Sequence, residues 1–394
     1  MLAALASFDT VYAGAAVLYA FNGGPDGAGP GLYSTDTGLI ADSAGNLYGT
    51  TYAGGGSGCA GDGCGTVFML APDGTETVLY AFRGLSDGEN PTSGVIRDTA
   101  GNLYGTTVTG GKYGGGTVFK LAPDGTETVL HSFDPESDGE YPNALIRDMS
   151  GNIYGTTYDC GIRCDLSACC GTVFELAPNG TETVLHFFTG GSDGSHPQGR
   201  LIWDGAGNFY GTTTQDGPGG SGTVFKLAPD GTETVLHGFA CDKDGSSPEG
   251  TLIRDKAGDF YGTTTYCGAG GGGTAFKLAP NGTLTVLHAF VGGIDGYYPF
   301  AGLIQDRAGN LYGTTIGGGD GPACNYSYGC GILFKLAPDG TETVLHTFGR
   351  HRHSGSSPYA GLIFAPKGML IGLAARGGNT SCQHGCGTVF VLKK

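Results

Sequence analysis

Tyr104-Gly105-Thr106-Thr107 is one copy of a four-residue word that recurs throughout this chain of 394 residues. Further copies begin at Tyr48, Tyr154, Tyr210, Tyr261 and Tyr312, and a degenerate copy, Ile-Gly-Leu-Ala, begins at Ile371. Successive copies lie 50 to 59 residues apart. Self-similarity at this spacing indicates a solenoid, a propeller or an array of small units, so the repeat decides the fold class before composition is considered.

One repeat contains four short runs of strand-forming residues separated by turn-forming residues. In the copy around Tyr104 these runs are residues 95–98, 103–107, 116–121 and 128–133, which we label A, B, C and D in chain order. Asp, Asn, Pro and Gly occupy the A–B and C–D connections, where they favour tight turns between antiparallel strands. Four antiparallel strands per repeat, without the periodicity of helical repeats, are typical of a β-propeller blade.

The two ends of the chain predict how the ring closes. Residues 16–21 form a D-type run with no A, B or C run before it, and residues 387–392 form a C-type run with no D run after it. Pairing them leaves no exposed edge at this point. We therefore predict an all-β, seven-bladed β-propeller in which the N-terminal strand completes the last blade. It forms one domain over residues 15–394, and residues 1–14 are interpreted as a tail or the remnant of a signal peptide.

Strand direction assigns the loops to two faces of the ring. The A–B and C–D turns share one face, the bottom face, and the B–C and D–A loops share the other, the top face. All twelve cysteines fall in top-face loops. Their placement predicts six disulfides: Cys59–Cys64, Cys160–Cys170, Cys164–Cys169, Cys241–Cys267, Cys324–Cys330 and Cys382–Cys386. Because disulfides persist in oxidising compartments, we predict a secreted or cell-surface protein, with reduced cysteines in a cytosolic protein as the alternative.

Composition excludes several classes of partner. The net charge is −16, from 36 acidic and 20 basic residues, and no stripe of Lys and Arg offsets it. Nucleic acid and anionic membranes would therefore be repelled. No run of 18 apolar residues is present, so no insertion into a membrane is predicted. Cations, neutral glycans and basic proteins remain as partners, and the oligomeric state stays open.

An Asp-Gly pair recurs in the D–A loops. The six aspartates are Asp26, Asp87, Asp138, Asp193, Asp244 and Asp295, and Ser354 takes this position in the last blade. Six carboxylates around a pore mouth are candidate cation ligands, and calcium is the one metal that they suggest. Asp-Gly is also an ordinary turn signal, and one Asp per loop supplies too few oxygens for calcium by itself. We interpret the pairs as structural and predict no cofactor.

The basic residues of blade seven are the clearest local departure from the repeat. Arg350, His351, Arg352 and His353 lie in the D–A loop that enters this blade, and Arg376 and His384 lie in or beside its B–C loop. One interpretation is that the sequence of the closing blade has diverged and that its basic loop is merely solvated. An anion- or glycan-binding site is the second. The third is a metal site or a catalytic site in which His351, His353 or His384 transfers a proton.

Aromatic residues of the top-face loops are a further set of candidates. Tyr141, Tyr298 and Tyr359 are the members that we single out, and the first two precede a proline. Tyrosine combines an apolar face with a polar tip, which suits stacking on sugars or peptides. The same side chains would equally cover the blade beneath them.

The repeat words resemble a known family. Gly-Asn-Leu-Tyr-Gly-Thr-Thr, Gly-Thr-Val-Phe-Lys-Leu-Ala-Pro-Asp-Gly and Thr-Val-Leu-His-x-Phe are similar to the words of the GloVer tandem-repeat family of exported bacterial proteins with interchangeable C-terminal anchors. The resemblance covers nearly the whole chain. It implies secretion and a propeller-like repeat, and it implies no activity and no catalytic residues.

Three functional hypotheses follow. The first is a binding or surface-interaction module that holds a glycan or a protein on its top face. The second is a carbohydrate-active enzyme, a polysaccharide lyase or a glycoside hydrolase, that uses the loops of blade seven. The third is a structural or assembly protein. Nucleophile-elbow, zinc-protease and phosphate-loop motifs are absent from the sequence.

Overall fold

The computed structural model describes residues 15–56, 58–159, 170–319, 329–349 and 355–393. Across these ranges the chain forms seven antiparallel sheets, each with strands in the order D-C-B-A. The predicted all-β, seven-bladed β-propeller is therefore confirmed. The described residues contain no helix long and apolar enough to cross a membrane.

The strands fall where the repeat words predict them. The A strands are Leu39–Ala41, Ile96–Arg97, Ile146–Arg147, Ser195–Trp203, Ile253–Arg254, Ile304–Gln305 and Ile363–Phe364. The B strands are Leu47–Ala53, Leu103–Thr107, Ile153–Asp159, Phe209–Gln215, Phe260–Thr264, Leu311–Thr315 and Leu370–Ala374. The C strands are Thr66–Leu70, Thr117–Leu121, Thr172–Leu176, Thr223–Leu227, Thr274–Leu278, Ile332–Leu336 and Thr388–Leu392. The D strands are Glu76–Ala81, Glu127–Ser132, Glu182–Phe187, Glu233–Gly238, Leu284–Ala289, Glu342–Thr347 and Ala16–Ala20.

Shorter elements lie in or beside the loops. Two extra strands, Ala28–Pro30 and Glu140–Pro142, pair with the upper part of a B strand. The 3₁₀ helices are Cys59–Gly61, Leu85–Asp87, Gly293–Asp295 and Pro366–Gly368.

The N-terminal strand closes the ring as the ends of the sequence predict. Ala16–Ala20 pairs antiparallel with Thr388–Leu392, so the last blade takes its outer strand from the beginning of the chain. The closure continues one residue further, because Phe21 N donates a hydrogen bond to Gly387 O at 3.0 Å.

A ring of phenylalanine pairs holds neighbouring blades together. The phenylalanine of each C strand packs edge-to-face on the phenylalanine that follows the D strand of the preceding blade, with ring centroids 5.0 to 5.1 Å apart. The seven pairs are Phe21–Phe68, Phe82–Phe119, Phe133–Phe174, Phe188–Phe225, Phe239–Phe276, Phe290–Phe334 and Phe348–Phe390. All fourteen side chains are at most 3% exposed. This repeated burial is the main apolar contribution at each blade junction.

The recurring Tyr-Gly-Thr-Thr word has a structural explanation. Its tyrosine hydroxyl bonds the aspartate of the A–B turn, as Tyr104 does to Asp98 at 3.0 Å. Its second threonine bonds a C-strand threonine, as Thr213 does to Thr223 at 2.8 Å. Its glycine faces the C-strand phenylalanine too closely for a side chain. Each residue of the word therefore satisfies a packing or hydrogen-bonding requirement of the blade.

The D–A loop that enters blade one blocks the central channel. Thr35 O accepts a hydrogen bond from Thr251 N at 3.0 Å, and Asp36 O accepts one from Gly361 N at 2.7 Å. Gly199 N, from a third blade, donates to Thr35 Oγ1 at 3.1 Å. Because these partners lie in or just before the A strands of three different blades, the A strands surround the axis and residues 35–36 form a plug between them.

Candidate functional site

A recurring backbone device positions the residues around the top-face mouth. The residue before each loop proline has left-handed backbone, with φ between 53° and 64°: Gly29, Asn90, Tyr141, His196, Ser247, Tyr298 and Ser357. The N–H of each donates, at 2.8 to 3.0 Å, to the carbonyl just before the repeat glycine of the preceding blade. Non-glycine residues adopt this conformation at a cost of about 1–3 kcal/mol, so the surrounding structure must hold them in place.

An arc of aromatic side chains begins in blade one. Tyr33 packs edge-to-face on Tyr52 at 5.9 Å and on Tyr359 at 5.5 Å between ring centroids. Tyr359 in turn packs on Phe300 at 5.3 Å. Tyr33 is 50% exposed, so one member of the arc is available to a ligand.

A second group of aromatic rings follows on the other side of Pro299 in the chain. Tyr298 contacts Tyr266 at 5.3 Å and Tyr297 at 5.5 Å between ring centroids. Tyr266 is 47% exposed. The structure therefore places Tyr359 and Tyr298, two of the predicted aromatic residues, in two ring groups that are joined along the chain by Pro299, and we call the two groups together the aromatic arc. The third, Tyr141, lies beside Glu140, whose charge raises the pKa of its phenol.

Glu249 is an unusual carboxyl group beside this arc. It follows the loop proline of blade five, and its Oε2 is buried and accepts no hydrogen bond from the described residues. Burial raises the pKa of Glu249 to about 8, and the Thr265 hydroxyl offsets part of that rise. Because the ordinary pKa of a glutamate is about 4.3, Glu249 retains a proton at neutral pH and can donate it.

A second polar group neighbours Glu249. The His196 ring stacks on Tyr158 at 4.8 Å, and His196 Nε2 lies 3.5 Å from Asp159 Oδ1. Burial raises the pKa of Tyr158, and the charges of Glu249 and Asp159 raise it further. Tyr158 therefore connects the two groups electrostatically. An imidazole and a carboxylate are thus paired beside Tyr158, and the Glu249 carboxyl is near enough to Tyr158 to affect its pKa, so these groups are candidates for binding and proton transfer.

Sequence reasoning did not single out Glu249, although the repeat contains a signal for it. The residues after the loop prolines are Gly31, Thr92, Asn143, Gln198, Glu249, Phe300 and Tyr359. Glu249 is the one carboxylate in this series. Its environment depends on Tyr158 and Thr265, which come from different blades, and nothing local in the sequence indicates that they meet.

The candidates of blade seven are described only in part. Arg350, His351, Arg352 and His353 lie outside the described residues. Arg376 pairs through its backbone with Ser356, and His384 O accepts a hydrogen bond from Gly377 N at 2.9 Å. The anion-binding and catalytic hypotheses for this blade therefore stay predictions.

The aspartates of the Asp-Gly pairs lie against the outermost strands. Three bond a D-strand histidine at 2.8 Å, in the pairs His131–Asp138, His237–Asp244 and His288–Asp295, and a fourth, Asp193, lies 3.5 Å from His186 Nε2 at ion-pair distance. Asp26 and Asp87 bond Tyr19 and Tyr80 in the same way at 2.8 Å. Each also bonds a backbone N–H of its own loop, as Asp138 does with Asp134 N at 2.7 Å. This arrangement supports the structural interpretation of these aspartates, and it does not put them around the channel mouth.

Three of the expected disulfides are present in the described residues. They are Cys59–Cys64, Cys241–Cys267 and Cys382–Cys386. Cys330 is disulfide-bonded. Its expected partner Cys324 lies outside the described residues, as do Cys160, Cys164 and Cys169. Glu89 lies near Cys59 and Cys64 in a group with metal-ligand spacing, but the disulfide leaves these cysteines no thiolate to offer a metal.

A family model matches nearly the whole chain. The model of the Gloeobacter/Verrucomicrobia repeat matches residues 4–169 and 163–390. Among curated proteins, no sequence matches the chain significantly.

Solved structures are similar to this chain at low sequence identity. The extracellular domain of a putative hybrid two-component system from B. thetaiotaomicron is 14% identical, with a TM-score of 0.54 over 91% of this chain and 39% of that one. A putative 6-phosphogluconolactonase from Bacteroides uniformis is 18% identical, with a TM-score of 0.48 over 78% of this chain and 83% of that one. A gluconolactonase from Xanthomonas campestris is 17% identical, with a TM-score of 0.43 over 75% of this chain and 84% of that one.

Proposed function

This chain belongs to the Gloeobacter/Verrucomicrobia repeat family, and we propose that it is an exported propeller that binds carbohydrate at the mouth of its top face. The aromatic arc is the observation that carries the proposal. Tyr33, Tyr359 and Phe300 form one group of rings and Tyr298 and Tyr266 form another, on either side of Pro299, and Tyr33 and Tyr266 are about half exposed. Exposed aromatic faces beside polar groups suit the apolar faces and hydroxyl edges of sugar rings.

The charge and the disulfides support the same proposal. A net charge of −16 is compatible with neutral glycans and unfavourable for polyanions. The disulfides of the top-face loops suit an oxidising compartment, so we propose export to the periplasm or the cell exterior.

The test is a glycan-array screen of the whole protein, followed by calorimetry with the glycans that bind. Tyr33→Ala and Tyr266→Ala are each expected to weaken binding about twofold to tenfold, because each removes a stacking platform worth about 0.5–1.5 kcal/mol. Tyr113→Ala is the matched control, since Tyr113 is 49% exposed in a top-face loop and makes no ring contact with the arc.

The screen also distinguishes the other hypotheses. Binding of a protein ligand with no glycan bound would contradict the carbohydrate proposal and leave the arc as a protein-binding surface. Regular filaments in electron micrographs, with the arc buried between copies, would favour the assembly role.

Glu249 favours a second candidate function, a carbohydrate-active enzyme. A carboxyl that keeps its proton at neutral pH is the group that a glycoside hydrolase uses to protonate a leaving oxygen. On glycans that bind, a reducing-sugar assay and an unsaturated-product assay would detect hydrolase and lyase turnover. Glu249→Gln is expected to abolish turnover while binding is retained, and Glu136→Gln, at an exposed top-loop acid, is the control. Wild-type protein that binds without turnover would exclude the enzyme hypothesis.

A further inference from the structure

A cavity of about 370 Å³ opens into the bottom half of the central channel. The plug formed by blade one closes its upper end, since Asp36 and Thr37 line it there. Ile202, Ile253 and Ile304, from the A strands of three neighbouring blades, form its apolar wall. This volume is at the small end of the range for ligand pockets, about 300–1,000 Å³.

Two large residues of the cavity, both from blade four, differ from the residues most common at their positions in the repeat. Arg200 occupies a position that is glycine in four other blades: Gly38, Gly94, Gly302 and Gly361. Trp203, the single tryptophan of the chain, occupies a position that is arginine in three other blades. If these positions served only to close the channel, we would expect the glycine and arginine that are common in the other blades. Two substitutions that converge on one cavity indicate a role specific to that cavity.

The cavity is cationic within an acidic protein. Arg200 and Arg254 both line it, and within the described residues no carboxylate forms an ion pair with either. Asp36 is the acidic residue of the lining, and its Oδ1 already accepts hydrogen bonds from Ser34 Oγ and Gly38 N at 2.8 Å. The two guanidinium groups therefore have donors available for an anion.

Two aromatic rings lie against the guanidinium group of Arg254. Its guanidinium carbon lies 5.5 Å from the ring centroids of both Tyr210 and Phe260. Stacking uses the face of the guanidinium and leaves the N–H donors at its edge free to bond a carboxylate. Trp203, 46% exposed, adds a flat apolar surface to the same cavity.

We propose that this cavity binds a small aromatic carboxylate. The ring would lie among Trp203 and the isoleucine side chains, and the carboxylate would bond the two arginines. A sugar acid fits less well, because its several hydroxyls would need partners, and Asp36 Oδ1, Thr251 Oγ1 and the Tyr210 hydroxyl of the lining are already hydrogen-bonded within the protein. The site is on the opposite face from the aromatic arc and does not depend on the carbohydrate proposal.

The experiment titrates the whole protein with benzoate and measures heat by calorimetry and the fluorescence of Trp203, the one indole reporter in the chain. Saturable binding with Kd below about 1 mM and a change in emission are expected. Benzyl alcohol, glucuronate and inorganic phosphate are the comparison probes. Each should bind at least about tenfold more weakly, since each lacks either the charge or the apolar ring.

Arg254→Gln is expected to weaken benzoate binding about tenfold. Arg147→Gln is the matched control, because Arg147 stacks on Tyr104 at the same 5.5 Å but does not line the cavity. Arg200→Gln provides a second variant, and thermal melts check that each variant is folded. Absence of saturable benzoate binding, equal binding of benzyl alcohol, tighter binding of glucuronate, or equal losses in Arg254→Gln and Arg147→Gln would each overturn the proposal.

Discussion

Individual residues of blade seven show how the degenerate repeat word lowers the stability of the folded state. In blade four, Thr213 and Thr223 bond each other in the core at 2.8 Å. Blade seven has Ala374 at the position of Thr213 and Thr388 at the position of Thr223. The buried Thr388 Oγ1 therefore has no hydrogen-bond partner among the described residues. A buried hydroxyl without a partner destabilises the folded state by about 1–3 kcal/mol.

Thr388→Val is therefore expected to leave the free energy of unfolding unchanged or to raise it by up to about 1 kcal/mol, since it removes an unsatisfied hydroxyl and keeps the shape. Thr223→Val is the matched variant in an intact pair, and it should lower stability by about 1–2 kcal/mol. Chemical denaturation of the two variants measures the difference. Equal losses at both positions would contradict this explanation.

The disulfides cross-link the loops of the top face. Cys241–Cys267 joins a D–A loop to the B–C loop of the following blade across 26 residues, whereas Cys382–Cys386 spans 4 residues within one loop. Most of the stabilisation by a cross-link comes from restricting the unfolded chain, and it grows with the length of the closed loop.

Replacement of both Cys241 and Cys267 by serine is expected to lower the free energy of unfolding by about 3.5 kcal/mol, and the same change at Cys382 and Cys386 by about 2 kcal/mol. Thermal or chemical denaturation under non-reducing conditions compares the two double variants. A larger loss for the shorter loop would mean that local packing, and not chain entropy, dominates.

Closure of the ring is a property of the whole molecule. Phe21 follows the N-terminal strand and packs on Phe68 of the first blade at 5.1 Å, as Phe82 packs on Phe119 of the second. Phe21 also belongs to one buried cluster with Leu373 and Val389 of the last blade, so its side chain is part of the apolar core shared by the two ends of the chain.

Phe21→Ala is expected to destabilise the fold by about 3–5 kcal/mol, as is Phe82→Ala, because each leaves a cavity at a fully packed junction. Denaturation curves provide the measurement. A loss for Phe21→Ala of less than about 1 kcal/mol, with a normal loss for Phe82→Ala, would show that closure contributes little.

A second property of the whole ring is its pH dependence. Five glutamates that begin D strands have a buried Oε1 that lacks a hydrogen-bond partner in the described part of the chain: Glu76, Glu127, Glu182, Glu233 and Glu342. Burial raises the pKa of each to about 7, and charged groups of the preceding blade modify it, such as Asp138 and His131 beside Glu182. A folded pKa above the unfolded value of about 4.3 favours folding at low pH, and that contribution is lost as pH rises through about 7.

The free energy of unfolding is therefore expected to fall between about pH 4 and pH 7 and to change little from this cause above that range. Glu182→Gln should reduce this dependence, so that the variant gains stability relative to the natural protein as pH rises. Glu136→Gln, at an exposed acid, is the control. Parallel stability profiles for Glu182→Gln and the natural protein would contradict the assignment.

Much of the scaffold follows from the sequence alone. The strand words, the turn residues and the spacing of the repeats determine seven four-stranded blades, because period-two patterns and Asp-Gly or Pro-Asp-Gly turns act over a few residues. The mismatched ends determine the closing pair Ala16–Ala20 and Thr388–Leu392. Cysteine spacing determines pairs such as Cys382–Cys386, since close residues of one loop have few other partners.

What occupies the channel and its two mouths depends on the tertiary structure and could not be predicted from the sequence. The plug at residues 35–36, the burial of Glu249 and the cavity around Arg200 and Trp203 each depend on side chains from blades far apart in the chain. Ring closure brings these residues close to one axis. Their separations along the sequence do not predict that they are close in space. Burial, charge and free volume at the axis are therefore properties of the assembled ring, and the repeat determines only the scaffold that creates them.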